Sequence, residues 1–385
     1  MSKPRSWVLT GDDAVRNEEF DLGPNSVPEF DSDDWYIRRY FLRGGLRDGV
    51  ELVEINNGPL TFQVLPTRGM NIWKGNFRGT PLGWNAPVSG PVHPKFVNLA
   101  DRGGLGFLAG FDEWFTRCGL SSNGPPGDDN GTPLPLHGRI SNSPAQRVVV
   151  AVDPNENRLA VSGVVEEGGL FLGRLRLTST ISTRAGSNQI VVSDQVQNLS
   201  SQPAEMQLLY HVNTGEPFLE AGGKVVAAFR EMAPHTGHAA KALDTWDTYR
   251  GPTAGFPEEV YNFRPVAGLD GQSAALLHNA MRNIGLVVRW RPEELPCFMV
   301  WKNTVARADG YVTGLEPSTN YPYFKGHERR QGRVVTLPPN GKWSATVTLE
   351  MYDERPAVDK AIAEIAAIQA SVKPTIHQTP IWGPK

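Results

Sequence analysis

Between Val50 and Met351, apolar and polar positions alternate in short runs bounded by Gly, Pro, Asn and Asp, the period-two pattern of half-buried strands. Val50–Ile55 and Leu60–Leu65 flank the turn signal Asn56-Asn57-Gly58-Pro59 and predict a hairpin, with Met70–Trp73 as a third strand. Further strands are predicted at Arg147–Val152, Leu159–Val165, Leu175–Ser182, Gln189–Val196 and Ala204–Val212. They resume at Gln272–His278, Ile284–Trp290, Cys297–Trp301, Tyr311–Glu316, Val334–Leu337 and Trp343–Met351. Pro317 is expected to end the strand before it and so to leave Glu316 at a strand end. Only the tail reads as helix: Asp353 can cap, Pro356 suits a first turn, and Val358, Ile362 and Ile365 share one face to about Ala370. The pattern predicts an all-β chain, a large antiparallel sandwich with a short C-terminal helix.

Three stretches break the alternation. Residues 1–45 are polar and rich in chain breakers up to the aromatic pair Trp35-Tyr36, and are expected to form an N-terminal arm packed on a single domain spanning 46–385. Residues 84–136 form a stretch of about fifty residues with breakers throughout, and a loop of that length inside one domain is expected to cover a site. Its Gly103-Gly104-Leu105-Gly106 lacks the strand before and the helix after that a phosphate cradle needs. Residues 234–265 are again loop-rich and carry His235, His238, Trp246 and the acidic pair Glu258-Glu259.

Composition supports one β-rich unit, since 40 glycines and 31 prolines are too many for a mostly helical protein and do not collect into a linker. A net charge of -3 with the signs interspersed argues against nucleic acid or an anionic membrane as a partner. Cys118 and Cys297, the only cysteines, have neither a disulfide framework nor metal spacing and are expected to be free thiols. With no apolar leader or membrane span, the expected location is the cytoplasm. Sequence gives no reading of oligomeric state.

Three polar residues stand within apolar runs that end in breakers: His137 in Leu134-Pro135-Leu136-His137-Gly138, His211 in Leu208-Leu209-Tyr210-His211-Val212-Asn213, and Glu316 in Gly314-Leu315-Glu316-Pro317. Each alone reads as a satisfied core or turn residue. Together they suggest one converging acid/base site, expected to need no cofactor. Arg68, beside Gly69 at a strand end, and Arg139, two residues after His137, are candidates to grip hydroxyls or a carboxylate, or else to form rim ion pairs. Of ten tryptophans, Trp114 is the first candidate to stack its ring on a ligand, and Arg117, which follows it in the same covering loop, is a further candidate ligand contact.

Leu315-Glu316 with Asn320-Tyr321-Pro322, preceded by the Leu-His-Gly and Tyr-His-Val-Asn segments, resembles the aldose 1-epimerases, or galactose mutarotases, from about Val50 to Tyr352. The resemblance implies a large two-sheet sandwich and an enzyme that interconverts sugar anomers. It implies Glu316 as base and His211 as acid, with His137 and Asn320 on the substrate side. Where the family has a segment like Asp-His-Asn-Phe that supplies a carboxylate to the sugar, this chain has Val260-Tyr261-Asn262-Phe263, which leaves the sugar, or sugar acid, open. A carbohydrate binder without turnover and a metal-assisted lyase, hydrolase or isomerase stand as alternatives. The latter lacks a local His-x-His or His-x-x-x-His pair.

Overall fold

Along Ala204–Thr214 the even-numbered side chains Met206, Leu208, Tyr210 and Val212 enter one apolar core while Leu209 enters another. A strand buried on both faces needs a layer on each side of it. A computed structural model describes residues 3–14 and 19–384. Among these residues a nine-stranded sheet faces a fourteen-stranded one, and the largest core cluster fills the space between them. Six adjacent strands of the larger sheet matter for function. In chain order they are β1 (Phe115–Leu120), β2 (Ala204–Thr214), β3 (Phe229–Pro234), β4 (Glu259–Pro265), β5 (Cys297–Asn303) and β6 (Val312–Ser318). In space they run β1-β2-β6-β5-β4-β3, all antiparallel to their neighbours.

The predicted all-β sandwich is the observed fold. The C-terminal helix, α1 (Arg355–Gln369), buries Val358, Ala361 and Ile365 against Leu276 and Val287 of the smaller sheet, and its last residue, Gln369, bonds the backbone of Phe229 at the start of β3. Among the described residues no helix is long and apolar enough to cross a membrane. Cys118 and Cys297 are buried and unpaired.

Four expectations need correction. Residues 84–136 are not loop throughout, because β1 lies among them; all six of its residues are buried, so it has no polar face to alternate. Residues 234–265 likewise contain β4. Within 1–45, Arg5–Thr10 extends the smaller sheet while Phe20–Leu22 and Tyr36–Phe41 extend the larger one, with Trp35 in the core; Met1, Ser2 and residues 15–18 lie outside the described residues. Pro317 does not stop its strand. It pairs with Phe298 inside β6, where the β2–β6 ladder opens between the pairs Leu209–Ser318 and Val212–Leu315, so the missing N–H breaks no bond on that side.

Candidate active site

The opening in the β2–β6 ladder is occupied by chemistry. His211 on β2 and Glu316 on β6 sit side by side there, with Nε2 3.1 Å from Oε1 and both side chains buried. They form the floor of a cavity of about 510 Å³ on the outer face of the larger sheet. His137, Phe111, Trp301, His235 and Glu258 also line it. Phe111 and Trp301 meet the His211 ring edge-on, each with centroids 5.2 Å away, and His137 lies at 5.8 Å. These rings exclude water from the pair.

Burial acts on both partners in the same sense. It raises the Glu316 carboxyl well above the usual carboxylate range, with Glu258 adding repulsion, and it lowers His211 well below the usual imidazole range, helped by His137. Burial therefore favours an uncharged pair with the proton on Glu316. Shifting that proton to His211 gives a carboxylate beside an imidazolium, so the pair holds one proton to give and one place to take another in either form.

His137 lies at a positive φ of 58° just before Gly138, and its Nδ1–H donates to the Asn123 carbonyl at 2.8 Å. That bond leaves Nε2 as an acceptor in the neutral ring, and desolvation lowers its pKa to keep it neutral. Asn320 and Asn123 exchange a reciprocal pair of amide hydrogen bonds at 2.9 and 3.0 Å, which fixes the carbonyl that orients His137.

Five expected substrate contacts are therefore placed elsewhere. Asn320 is fully buried behind His137 and holds Asn123. Arg68, also fully buried, donates to Glu113 (2.6 Å), to the Val92 and Gly110 carbonyls (2.8 and 2.7 Å) and to Asn142 (3.0 Å), so its fork is spent on holding the segment that carries Phe111. Arg117 points between the sheets to Asp194 and Ser179. Trp114 is fully buried in the inter-sheet core. Arg139 is exposed and lines a neighbouring cavity of about 590 Å³ with Asp128 and Leu134. The structure does bring together His137, His211 and Glu316.

Phe111, Trp301, Glu258 and His235 were given no role from sequence. Trp301 ends a predicted strand, so its position on β5 was legible, but its neighbour across the sheet, Gly314, was not. Trp301 Nε1 donates to Glu258 Oε2 at 2.8 Å, fixing both at the cavity rim. Among the described residues no group of three His, Cys, Asp or Glu side chains is placed to hold a metal ion.

A family described as a domain of unknown function, DUF4432, matches residues 47–351. A solved structure from Klebsiella pneumoniae subsp. pneumoniae, provisionally described as an aldose 1-epimerase, superposes with a TM-score of 0.95 at 33% identity, over 98% of this chain and 99% of that one. A galactose mutarotase-like protein from Clostridium acetobutylicum superposes at 0.60 with 14% identity over 84% and 100% of the two chains. An Escherichia coli K12 protein, also provisionally an aldose 1-epimerase, superposes at 0.52 with 15% identity over 79% and 99%. The last two share the fold. No curated protein matches this sequence.

Proposed function

We propose that this chain, which belongs to the DUF4432 family and has the galactose mutarotase-like fold, is a sugar mutarotase in which Glu316 and His211 move the two protons of anomer exchange. The observation that carries this reading is the 3.1 Å contact of these two side chains on the floor of an aromatic-walled cavity. Aromatic walls suit the C–H faces of a pyranose, and the imidazoles and carboxylates suit its hydroxyls.

In the exchange, the Glu316 carboxylate takes the proton of the anomeric hydroxyl and the His211 imidazolium gives one to the ring oxygen. The bond from the anomeric carbon to the ring oxygen breaks, leaving an open-chain aldehyde and a pair of opposite protonation. Rotation about the adjacent carbon–carbon bond and the reverse transfers close the ring on the other face and restore the pair. No atom is gained or lost. His137 accepts a sugar hydroxyl at Nε2 and holds the ring against the pair.

Glu316→Gln tests this reading. The amide keeps the shape of the side chain but cannot take a proton, so the exchange rate of freshly dissolved aldoses, followed by NMR, falls by roughly 10²-fold or more while sugar affinity stays within about threefold. Full exchange activity in this variant excludes Glu316 as the base. Sugar binding without exchange in the wild type selects the alternative of a carbohydrate binder.

A further inference from the structure

The polar lining of the cavity does not end at the reacting pair. Four strands along the sheet, just past the end of β3, His235 also faces the cavity, and its surroundings hold it in one position. Its backbone N–H donates to the Val260 carbonyl at 2.8 Å. Its ring stacks on Tyr323 with centroids 4.2 Å apart and planes 8° from parallel. The fully buried Asn262 amide on β4 contacts both His235 Nδ1 (3.2 Å) and the Tyr323 hydroxyl (3.0 Å). One ring nitrogen is thus occupied by the protein. Nε2 is the remaining polar atom of a ring that faces the cavity.

Building on the sugar-site reading above, we propose that His235 is a substrate-binding residue whose Nε2 bonds a sugar hydroxyl at the end of the ligand remote from Glu316. Three strand spacings separate β3 from β6, roughly 14 Å between backbones, so the two side chains address opposite ends of what the cavity holds. β4, between them, offers no carboxylate to that end. Asn262 is turned to His235 and Tyr323, and Glu258 just before the strand is bonded to Trp301. The imidazole, beside Thr236, is the ring that the cavity offers the ligand there. Burial lowers its pKa to about 4, so it meets the ligand as a neutral ring, and because the Asn262 amide nitrogen donates to Nδ1 the ring proton sits on Nε2 and is donated to the ligand.

Two substitutions separate binding from structure. Asn at 235 reproduces the position of Nδ1, and with it the Asn262 contact, but has nothing at Nε2; Gln places its amide nitrogen where Nε2 lies. With a panel of aldopentoses and aldohexoses, His235→Asn raises KM roughly tenfold with kcat within about threefold of wild type, and His235→Gln brings KM back to within about threefold. An unchanged KM in His235→Asn overturns the proposal, as does an equal loss in both variants together with a lowered Tm. Should the wild type exchange no aldose, the mutarotase reading falls while binding of the same panel, measured by saturation-transfer NMR, still tests His235: weaker binding in the Asn variant and recovery in the Gln variant uphold it. A wild type that binds none of the panel overturns both.

Discussion

Gly314 lies two residues before Glu316 on the same face of β6, and a Cβ there would sit 2.4 Å from Glu316 Oε1 and 2.9 Å from His211 Cε1. Only a bare α-carbon lets the pair meet, so Gly314→Ala must push one of them aside. Misplacement by about 1 Å can cost on the order of 10²-fold, and the expected result is a fall of that size in kcat with a fold still intact by circular dichroism. Unchanged kcat would mean that the pair tolerates displacement. At this scale His137, His211 and Glu316 were legible because a polar residue inside an apolar run demands an explanation. Arg68, Arg117, Trp114 and Asn320 were misread for the opposite reason. Nothing in the sequence tells which buried carboxylate or carbonyl will absorb an arginine fork, and Glu113 lies forty-five positions from Arg68.

Among the elements, β1 joins both layers of the molecule. Its Arg117 turns toward the smaller sheet and forms a bidentate pair with Asp194 at 2.6 and 3.0 Å, both side chains fully shielded from solvent. Removing one member of such a pair leaves an unpaired buried charge, typically about 3–5 kcal/mol, whereas replacing both by apolar groups is often nearly neutral. Arg117→Met is expected to lower stability by that amount in urea unfolding, and Arg117→Met with Asp194→Leu to recover most of it. A single variant as stable as wild type would show that the pair contributes nothing net. The same strand explains the limit of pattern reading. With all six residues buried it carries no alternation, and β4, which likewise has polar residues turned inward, was hidden in a stretch that reads as loop. The strands with one wet face, such as Arg147–Asp153, fell within a residue or so of their predicted bounds.

For the whole molecule, strand period announced an all-β chain, but the order β1-β2-β6-β5-β4-β3 joins segments far apart in sequence, which local pattern does not encode. That order sets the charge of the cavity. Among the described residues that line it none is Lys or Arg, while Glu258 and Asp309 stand at its exposed rim and Glu316 at its floor. The three histidines add no positive charge near neutral pH, since burial lowers each of them. Of the two arginines that sequence offered to grip a carboxylate, Arg68 is committed to Glu113 and Arg139 lines the neighbouring cavity. An anionic sugar would thus give up its hydration to face carboxylates with no counter-charge. Neutral aldoses are expected to exceed their 6-phosphates or uronates by roughly tenfold or more in kcat/KM, and the rim share of that gap should narrow as salt is raised past about 0.1 M, where screening reaches about 10 Å. Competition kinetics between a neutral sugar and its uronate at two ionic strengths measures both effects. Equal or better exchange of the anion would require a cation in the cavity that the lining does not supply.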